Sequence, residues 1–451
     1  MTLHLGKSPR SYGSAAAKGS LLHPKARRGL AVVAVLPFLN PRPDGVDDHL
    51  GEGTADEVLQ GLNRIEGLQV LSRTTSFRYG DSPFSPAEVG RRLHATAILA
   101  GSLMQEGTLL TLNTTLVDVK SGKVAWAKPY VFSRQELFVT LDDVIRCVAS
   151  ALHVPAPGHA RHAVGLDAYD YYLRGRQYYF RFSRQGMGFA AQMFRHSLDL
   201  DPAFPSAWAG LANCAAYSYI YLDRAETQRE LAESCSRKAL ELDPGLAEAH
   251  ASRGVALSAA GLADEAEEAF ETALRLDPNL YEAAYFYARH CFATGKPERA
   301  IEFFEWAAAL RPEDFQAILL VAQVYHSLGL EDEARRARQA GLALVEERLD
   351  RVPDDARARY LGANALVALG EREKGLAWAR MARELDPDDS MLLYNLGCIH
   401  ALAGDPEESL GCLERAVARG LSQKGWFVHD GDLDSIRSHP RFRELMVRIG
   451  G

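Results

Sequence analysis

Ten side chains at recurring helical positions have the chemistry of a polypeptide-binding surface. They are tyrosines, amides, an arginine, a histidine and a phenylalanine at spacings that place them on one face of successive helices. Tyrosine and arginine anchor interfaces, and amides pair with an extended backbone. Any single tyrosine could instead fill the groove floor. We predict a partner-binding groove formed by Asn213, Tyr217, Tyr285, Arg289, Phe292, Gln323, His326, Tyr360, Asn364 and Tyr394.

Residue patterns for catalysis are weak by comparison. Residues 51–53 (Gly-Glu-Gly) make a poor phosphate loop, because Asp56 stands where a third glycine is needed and Glu52 would repel phosphate. Asp47 and Asp48 are more simply explained as solvated loop acids than as metal ligands. The sequence has no Walker loop, GxSxG, HExxH or kinase signature. We predict no enzyme activity, catalytic residue, cofactor or metal.

The six cysteines form no CxxC pair and have no histidine cluster beside them. Cys398 and Cys412 could face each other across the last helical pair. Buried reduced thiols are the expected state, since five of the six fall within predicted repeat helices.

The candidate groove depends on a repeat of 34 residues. Segments 247–280 and 281–314 align without an insertion. Both have a small residue at place 8, Gly at place 15, Ala at place 20, Phe at place 24 and Pro at place 32. Small residues at places 8 and 20 let two helices approach closely, Gly turns the chain and Pro ends the second helix.

This pattern resembles the tetratricopeptide repeat, a helix–turn–helix unit that buries its apolar face by stacking into a superhelix. The template extends over about seven units within 167–425, and we expect residues 426–451 to form a cap helix. The resemblance implies that places 2, 5, 9, 12 and 13 of each first helix line the groove. The lysine–asparagine clamp for a terminal carboxylate is not reproduced, because Ala209 and Ser252 occupy two of its places.

Residues 29–154 have a different periodicity. Their pattern predicts the order β-α-β-α-β-β-β-α, a compact α/β domain with a mixed sheet. Thr54 and Ser85 are the expected caps of the first two helices, and residues 118–123 form the turn of a hairpin.

This stretch resembles the TolB amino-terminal-like domain through "AVLPF" (34–38), "GLQVLSRTTSFRY" (67–79), "VGRRLHATAILAGSL" (89–103) and "LVDVKSGKVAWAKPY" (116–130). In that family the domain commonly precedes tetratricopeptide repeats and sits behind a cyclase, kinase or winged-helix effector. The 28 residues before it are too short for such an effector, so the resemblance implies no effector activity here.

Charge and hydropathy limit the partner class and location. Residues 1–28 contain six basic residues and no acid, so the remainder carries a net charge of −14. An acidic body argues against a nucleic-acid groove. We predict a disordered basic leader over 1–28, a linker over 155–166, no membrane span and a cytoplasmic location.

The sequence favours a non-enzymatic interaction protein that binds a protein or peptide in its groove and regulates a separate effector. Two alternatives remain open. The amino-terminal domain could sense a small ligand and the solenoid relay its signal, or the chain could be the regulatory part of an adenylate cyclase without its catalytic domain. The partner's identity and the oligomeric state stay open.

Overall fold

The computed structural model describes residues 31–41, 48–63, 65, 67–71, 73–77, 79–80, 82–133, 136–154, 164–222 and 224–450. The predicted basic leader, most of the predicted linker and Asp47 lie outside these ranges. The described chain from Ala31 onward forms one compact unit.

The amino-terminal region contains a five-stranded sheet in the order β2-β1-β3-β4-β5. Strand β1 is parallel to β2 and β3, whereas β3, β4 and β5 are antiparallel neighbours. This confirms the predicted mixed sheet. The strands are β1 (Ala31–Val35), β2 (Leu68–Val70), β3 (Ala97–Glu106), β4 (Leu109–Asp118) and β5 (Val124–Ser133).

Among the described residues of this region, four helices accompany the sheet, namely α1 (Asp48–Asn63), α2 (Arg73–Phe77), α3 (Pro86–Arg92) and α4 (Leu137–Ala151). Ser85 caps α3 in a capping box with Glu88, as predicted. The predicted Thr54 cap is wrong, because α1 begins at Asp48 and Thr54 lies buried within it. The short helix α2 was not predicted.

The helical region consists of seven antiparallel helix pairs within the described residues. The glycines at place 15 of five repeats, Gly261, Gly295, Gly329, Gly370 and Gly404, turn the chain with φ between +71° and +95°, a region that favours glycine. The helices are α5 (Leu166–Tyr179), α6 (Arg184–Leu200), α7 (Pro205–Tyr221), α8 (Glu226–Leu242), α9 (Ala247–Ala259), α10 (Ala263–Leu276), α11 (Tyr281–Ala293), α12 (Pro297–Leu310), α13 (Phe315–Ser327), α14 (Glu331–Arg351), α15 (Ala356–Ala368), α16 (Arg372–Leu385), α17 (Ser390–Leu402) and α18 (Pro406–Ala418).

Small residues hold the two helices of a pair together. Ala266 and Ala300 are fully buried, as the 34-residue register predicts. At place 8 a Cβ on Gly254 would come within 2.8 Å of the Phe270 ring, so glycine is required for this approach.

The C-terminal segment differs from the expected cap. It contains α19 (Lys424–His429), a 3-10 helix (Gly431–Ile436) and α20 (Pro440–Gly450). Helix α20 packs on the last pair through α18, as a cap would. Helix α19 packs against α11, and the 3-10 helix packs against α13 and α17. Residues 424–436 therefore lie on the inner wall of the solenoid.

The sheet domain contacts the solenoid through α1, which packs against α5, and through β2, whose Val70 carbonyl oxygen accepts a hydrogen bond from Asn279. The guanidinium of Arg176 lies 3.2 Å from carboxylate oxygens of both Asp56 and Glu282, so it joins α1, α5 and α11. Asn63 donates a hydrogen bond to Asp277 across the same contact. No helix within the described ranges has both the length and the apolarity needed to cross a membrane.

Candidate functional site

The ten predicted groove residues lie on the first helices of their repeats, but most of them are not open to solvent. Seven are buried, namely Tyr217, Tyr285, Arg289, Phe292, Tyr360, Asn364 and Tyr394. Asn213, Gln323 and His326 are half-buried. An open groove would expose such side chains, so the inner wall is covered in this structure.

Residues 424–436, which we call the C-terminal insert, cover this wall. The Trp426 ring lies 4.6 Å from the guanidinium carbon of Arg289 and 5.5 Å from the Tyr221 ring. It also lies 5.7 Å from the Tyr394 ring. Trp426 is thus an aromatic anchor held by a cation–π contact and two ring contacts.

Two glycines allow the insert to approach the wall closely. A Cβ on Gly425 would lie 1.8 Å from the carbonyl oxygen of Ala293 on α11. A Cβ on Gly431 would lie 2.9 Å from the Cα of Ser327 on α13. Any larger residue at either position would push the insert away from these helices.

Wall residues also bind the polar part of the insert. The Asn364 amide donates a hydrogen bond of 2.7 Å to Asp432, and the Tyr394 hydroxyl donates one of 2.8 Å to Asp430. The Gly431 amide donates to the Ser327 hydroxyl at 2.9 Å. Side chains from α13, α15 and α17 therefore recognise two carboxyl groups and one backbone amide of the insert.

The two aspartates of the insert are buried next to each other. Burial and the neighbouring Asp432 raise the pKa of Asp430 to about 7. Burial also raises the pKa of Asp432. The Cys398 sulfur lies 3.5 Å from Asp430. This sulfur and one carboxylate oxygen from each of Asp430 and Asp432, the atoms that could bind a metal ion, all lie within 4.8 Å of one another. Both carboxyl groups already accept hydrogen bonds from the protein. We therefore interpret these three residues as a polar contact that fixes the insert to the wall, and not as a metal site.

A second polar cluster lies beside Trp426. Arg289 donates to the hydroxyls of Tyr221 and Tyr285, both at 3.0 Å. Arg357 donates to the Tyr285 hydroxyl at 2.9 Å and to the Tyr360 hydroxyl at 2.7 Å. The structure thus brings α7, α11 and α15 together through buried guanidinium and phenol groups.

A small cavity lies between the two clusters. It has about 30 Å³ of free volume, which is enough for ordered water but not for a second chain. Five predicted groove residues line it, namely Arg289, Phe292, Gln323, Tyr360 and Tyr394.

Sequence reasoning missed several residues of the wall. Arg357 and Gln316 stand at place 2 of their repeats, a place that the repeat template already assigned to the groove. Tyr221 lies in the lengthened end of α7, beyond the template. Trp426, Asp430 and Asp432 belong to a segment without the repeat pattern, so its sequence carries no signal for their position.

Two sequence profiles match parts of the helical region. The family described as "Tetratricopeptide repeat" matches residues 224–281, and the family described as "Anaphase-promoting complex, cyclosome, subunit 3" matches residues 259–341. With the seven described helix pairs, they show a solenoid of tetratricopeptide-type repeats. Such repeats generally mediate protein–protein interactions and typically form non-enzymatic scaffolds. Neither match reaches residues 29–154, where the TolB-like resemblance stays a prediction.

The chain is also similar to individual proteins. "Putative adenylate cyclase 3" of Rhizobium meliloti (strain 1021) is 27% identical over 245 residues, which cover 52% of this chain and 42% of that protein. The chain thus spans less than half the length of this relative.

Solved structures with helical repeats cover parts of the chain. One is YrrB, described as a TPR protein with an unusual peptide-binding site, at 19% identity, a TM-score of 0.28 and coverage of 48% of this chain and 97% of that one. Another is a tetratricopeptide repeat protein from Parabacteroides merdae ATCC 43184, at 15% identity and a TM-score of 0.35. The match covers 64% of this chain and 100% of that one.

Proposed function

We propose that this chain is a non-enzymatic, cytoplasmic scaffold whose inner wall binds a protein or peptide and thereby regulates a separate effector. The observation that carries the proposal is the C-terminal insert on that wall. The contacts that hold the insert are those by which a repeat groove would hold a partner: an aromatic anchor, hydrogen bonds to carboxyl groups and one to a backbone amide.

The chemistry of the insert suggests the class of partner. Trp426 and Phe427 are followed within five residues by Asp430 and Asp432. The wall supplies Arg289 for the first aromatic ring and Asn364 for the second carboxyl group. A polypeptide with an aromatic pair followed by acidic residues would satisfy the same groups, and it would have to replace the insert to do so.

The effector class is suggested by the adenylate cyclase relative. That protein is more than twice as long as the stretch it shares with this chain. We propose an effector of the nucleotide cyclase type, encoded apart from this sequence. The second candidate, favoured by the same similarity, is that this sequence is itself the regulatory part of a cyclase. An in-frame upstream extension encoding a cyclase domain would distinguish the second candidate from the first.

The groove proposal can be tested with a fluorescently labelled synthetic peptide spanning residues 421–438. Its affinity would be measured by fluorescence anisotropy for the wild type, for Trp426→Ala and for the control Val428→Ala, whose parent side chain is exposed. We expect Trp426→Ala to bind at least about tenfold more tightly than the wild type, because the weakened insert competes less with the added peptide. Equal affinity for all three proteins, or binding to none, would contradict the proposal.

A separate test addresses the effector. Purified protein is expected neither to hydrolyse nor to cyclise ATP, since the sequence has no phosphate-binding loop. A class III cyclase catalytic domain from the same genome would then be assayed for cyclic AMP formation with and without the chain. Turnover by the chain alone would refute the scaffold assignment. An unchanged cyclase rate would argue against a cyclase-type effector while leaving peptide binding intact.

A further inference from the structure

Two arginines on the inner wall are buried without a carboxylate partner. Arg289 and Arg357 expose only 3% and 6% of their surface. Their hydrogen bonds go to neutral oxygens, namely the phenols of Tyr221, Tyr285 and Tyr360 and the Gln316 amide. Among the residues that the structure describes, neither arginine forms an ion pair.

The two positive charges are also close to each other. The Tyr285 hydroxyl accepts a hydrogen bond of 3.0 Å from Arg289 and one of 2.9 Å from Arg357. One oxygen therefore lies between two guanidinium groups. The rings of Tyr221 and Trp426 offset part of the charge of Arg289, and the Phe182 ring lies 5.4 Å from the guanidinium carbon of Arg357. Rings do not replace a counter-ion for two like charges held out of water.

Both arginines line the small cavity, and one still has a free donor. Nη2 of Arg289 is shielded from solvent and has no hydrogen-bond partner among the described residues. The side-chain amides of Gln323 and Asn395 line the same cavity. Apolar side chains, including Phe292 and Phe304, form part of the remaining lining.

Asp430 also lines this cavity, but it does not neutralise the arginines. Its carboxyl group accepts hydrogen bonds from the Tyr394 hydroxyl and the Asp432 amide, and the Cys398 thiol lies beside it. It forms no ion pair with Arg289 or Arg357 within the described part of the chain. The arginine side of the cavity is thus left positively charged.

We propose that the cavity between Arg289 and Arg357 is a binding site for a small free carboxylate. The planar fork of a guanidinium group matches the two oxygens of a carboxylate, and a desolvated site strengthens such charge-assisted hydrogen bonds. The cavity volume of about 30 Å³ is roughly twice what one ordered water requires, which suits a head group of the size of formate or acetate. This site does not depend on the polypeptide binding proposed above, since the ligand would occupy the cavity that remains while the insert is in place.

Thermal unfolding and calorimetric titration of the full chain with sodium formate and sodium acetate test this proposal. Ionic strength would be held constant with sodium chloride, and sodium sulfate would serve as a tetrahedral anion of comparison. We expect formate or acetate to raise the melting temperature by a few degrees at saturation, with little effect of exchanging chloride for sulfate. Equal shifts in all salts, a response to sulfate only, or no response would each overturn the proposal.

Variants locate the site. Arg289→Gln and Arg357→Gln should each weaken carboxylate binding at least about tenfold, whereas Arg335→Gln, at an exposed arginine on α14, should bind like the wild type. Should either buried arginine prove necessary for folding, Tyr285→Phe and Gln323→Leu offer a second comparison. Tyr285→Phe keeps both charges and should retain binding, while Gln323→Leu removes a polar group of the cavity and should weaken it. Wild-type affinity in the arginine variants, or in Gln323→Leu if those do not fold, would contradict the assignment.

Discussion

The helix pairs and the inner wall of this solenoid are held together by different kinds of contact. Within a pair, small apolar residues such as Ala266 and Gly254 bring two adjacent helices together. On the inner wall, Tyr285, Arg357 and Asp432 connect helices that lie far apart in sequence through hydrogen bonds and ring contacts.

Each repeat therefore makes two kinds of contact, one between the two helices of its pair and one along the inner wall. The pair contacts are local and follow the 34-residue template, so they are built wherever the template occurs. The wall contacts depend on which helices the superhelix brings opposite one another and on the insert that fills the space between them. The wall is consequently the part where we propose that a ligand or partner binds, while the contacts within the pairs stay as they are.

Truncation of the aromatic anchor should have the largest effect. Trp426→Ala removes a side chain that is 7% exposed and contacts Arg289, Tyr221 and Tyr394, so we expect a loss of about 3–5 kcal/mol in the free energy of unfolding. Urea unfolding followed by circular dichroism measures it. Val428→Ala, at an exposed position of the same helix, should change stability by no more than about 0.5 kcal/mol. Similar losses from the two variants would show that the insert is not anchored through Trp426.

Overpacking a helix pair should have the next largest effect. Ala266→Trp places a large ring where the parent side chain is fully buried, and should cost about 1–3 kcal/mol. Glu268→Trp, at an exposed position of the same helix, is the matched control. A variant at Ala266 that melts like the wild type would refute the repeat register.

The wall should also make stability depend on pH. The folded pKa of Asp430 is about 7, above its ordinary value of 3.8, so the folded state keeps a proton that the unfolded state releases. Its contribution to stability is therefore complete below about pH 4 and is lost as pH rises towards 7, at up to about 1.4 kcal/mol per pH unit.

Asp430→Asn should remove this contribution, and stability profiles between pH 4 and 8 measure it. Asp277, whose pKa is also raised to about 7 by burial, titrates in the same range at the contact with the sheet domain. The difference between the wild-type and Asp430→Asn profiles isolates the insert, and Asp277→Asn provides the comparison outside the wall. Parallel profiles for the wild type and Asp430→Asn would contradict the prediction.

Loss of one polar contact of the wall should have the smallest effect. Asn364→Ala removes the 2.7 Å hydrogen bond to Asp432 and should cost about 1 kcal/mol. Gln339→Ala, at an exposed amide on α14, serves as the control. Chemical denaturation of both variants decides whether the contact contributes, and equal stability of the two would show that it does not.

The sequence predicted the local architecture well because its signals are local. Ser85 caps α3, the turn glycines adopt positive φ, and the strand pattern yields a mixed sheet. It failed at Thr54, because α1 begins six residues earlier, at Asp48, and contains both Gly51 and Gly53. Both positions of the helix require glycine. A Cβ on Gly51 would come within 2.1 Å of the Phe38 carbonyl oxygen, and a Cβ on Gly53 would collide with the Leu173 side chain. These close approaches involve distant residues and leave no trace in the local pattern.

At the candidate site, too, local sequence signals predicted one part and long-range packing decided the other. Repeat places identified Arg289, Tyr360 and Asn364 as inward-facing, because helical periodicity fixes the direction of a side chain. What those side chains meet was decided only by the tertiary structure. The superhelix brings α11 opposite α15, and Gly425 and Gly431 let the C-terminal insert approach the wall. The sequence by itself therefore determined which residues point inward, whereas long-range packing decided that they would be buried against one another, around a charged cavity.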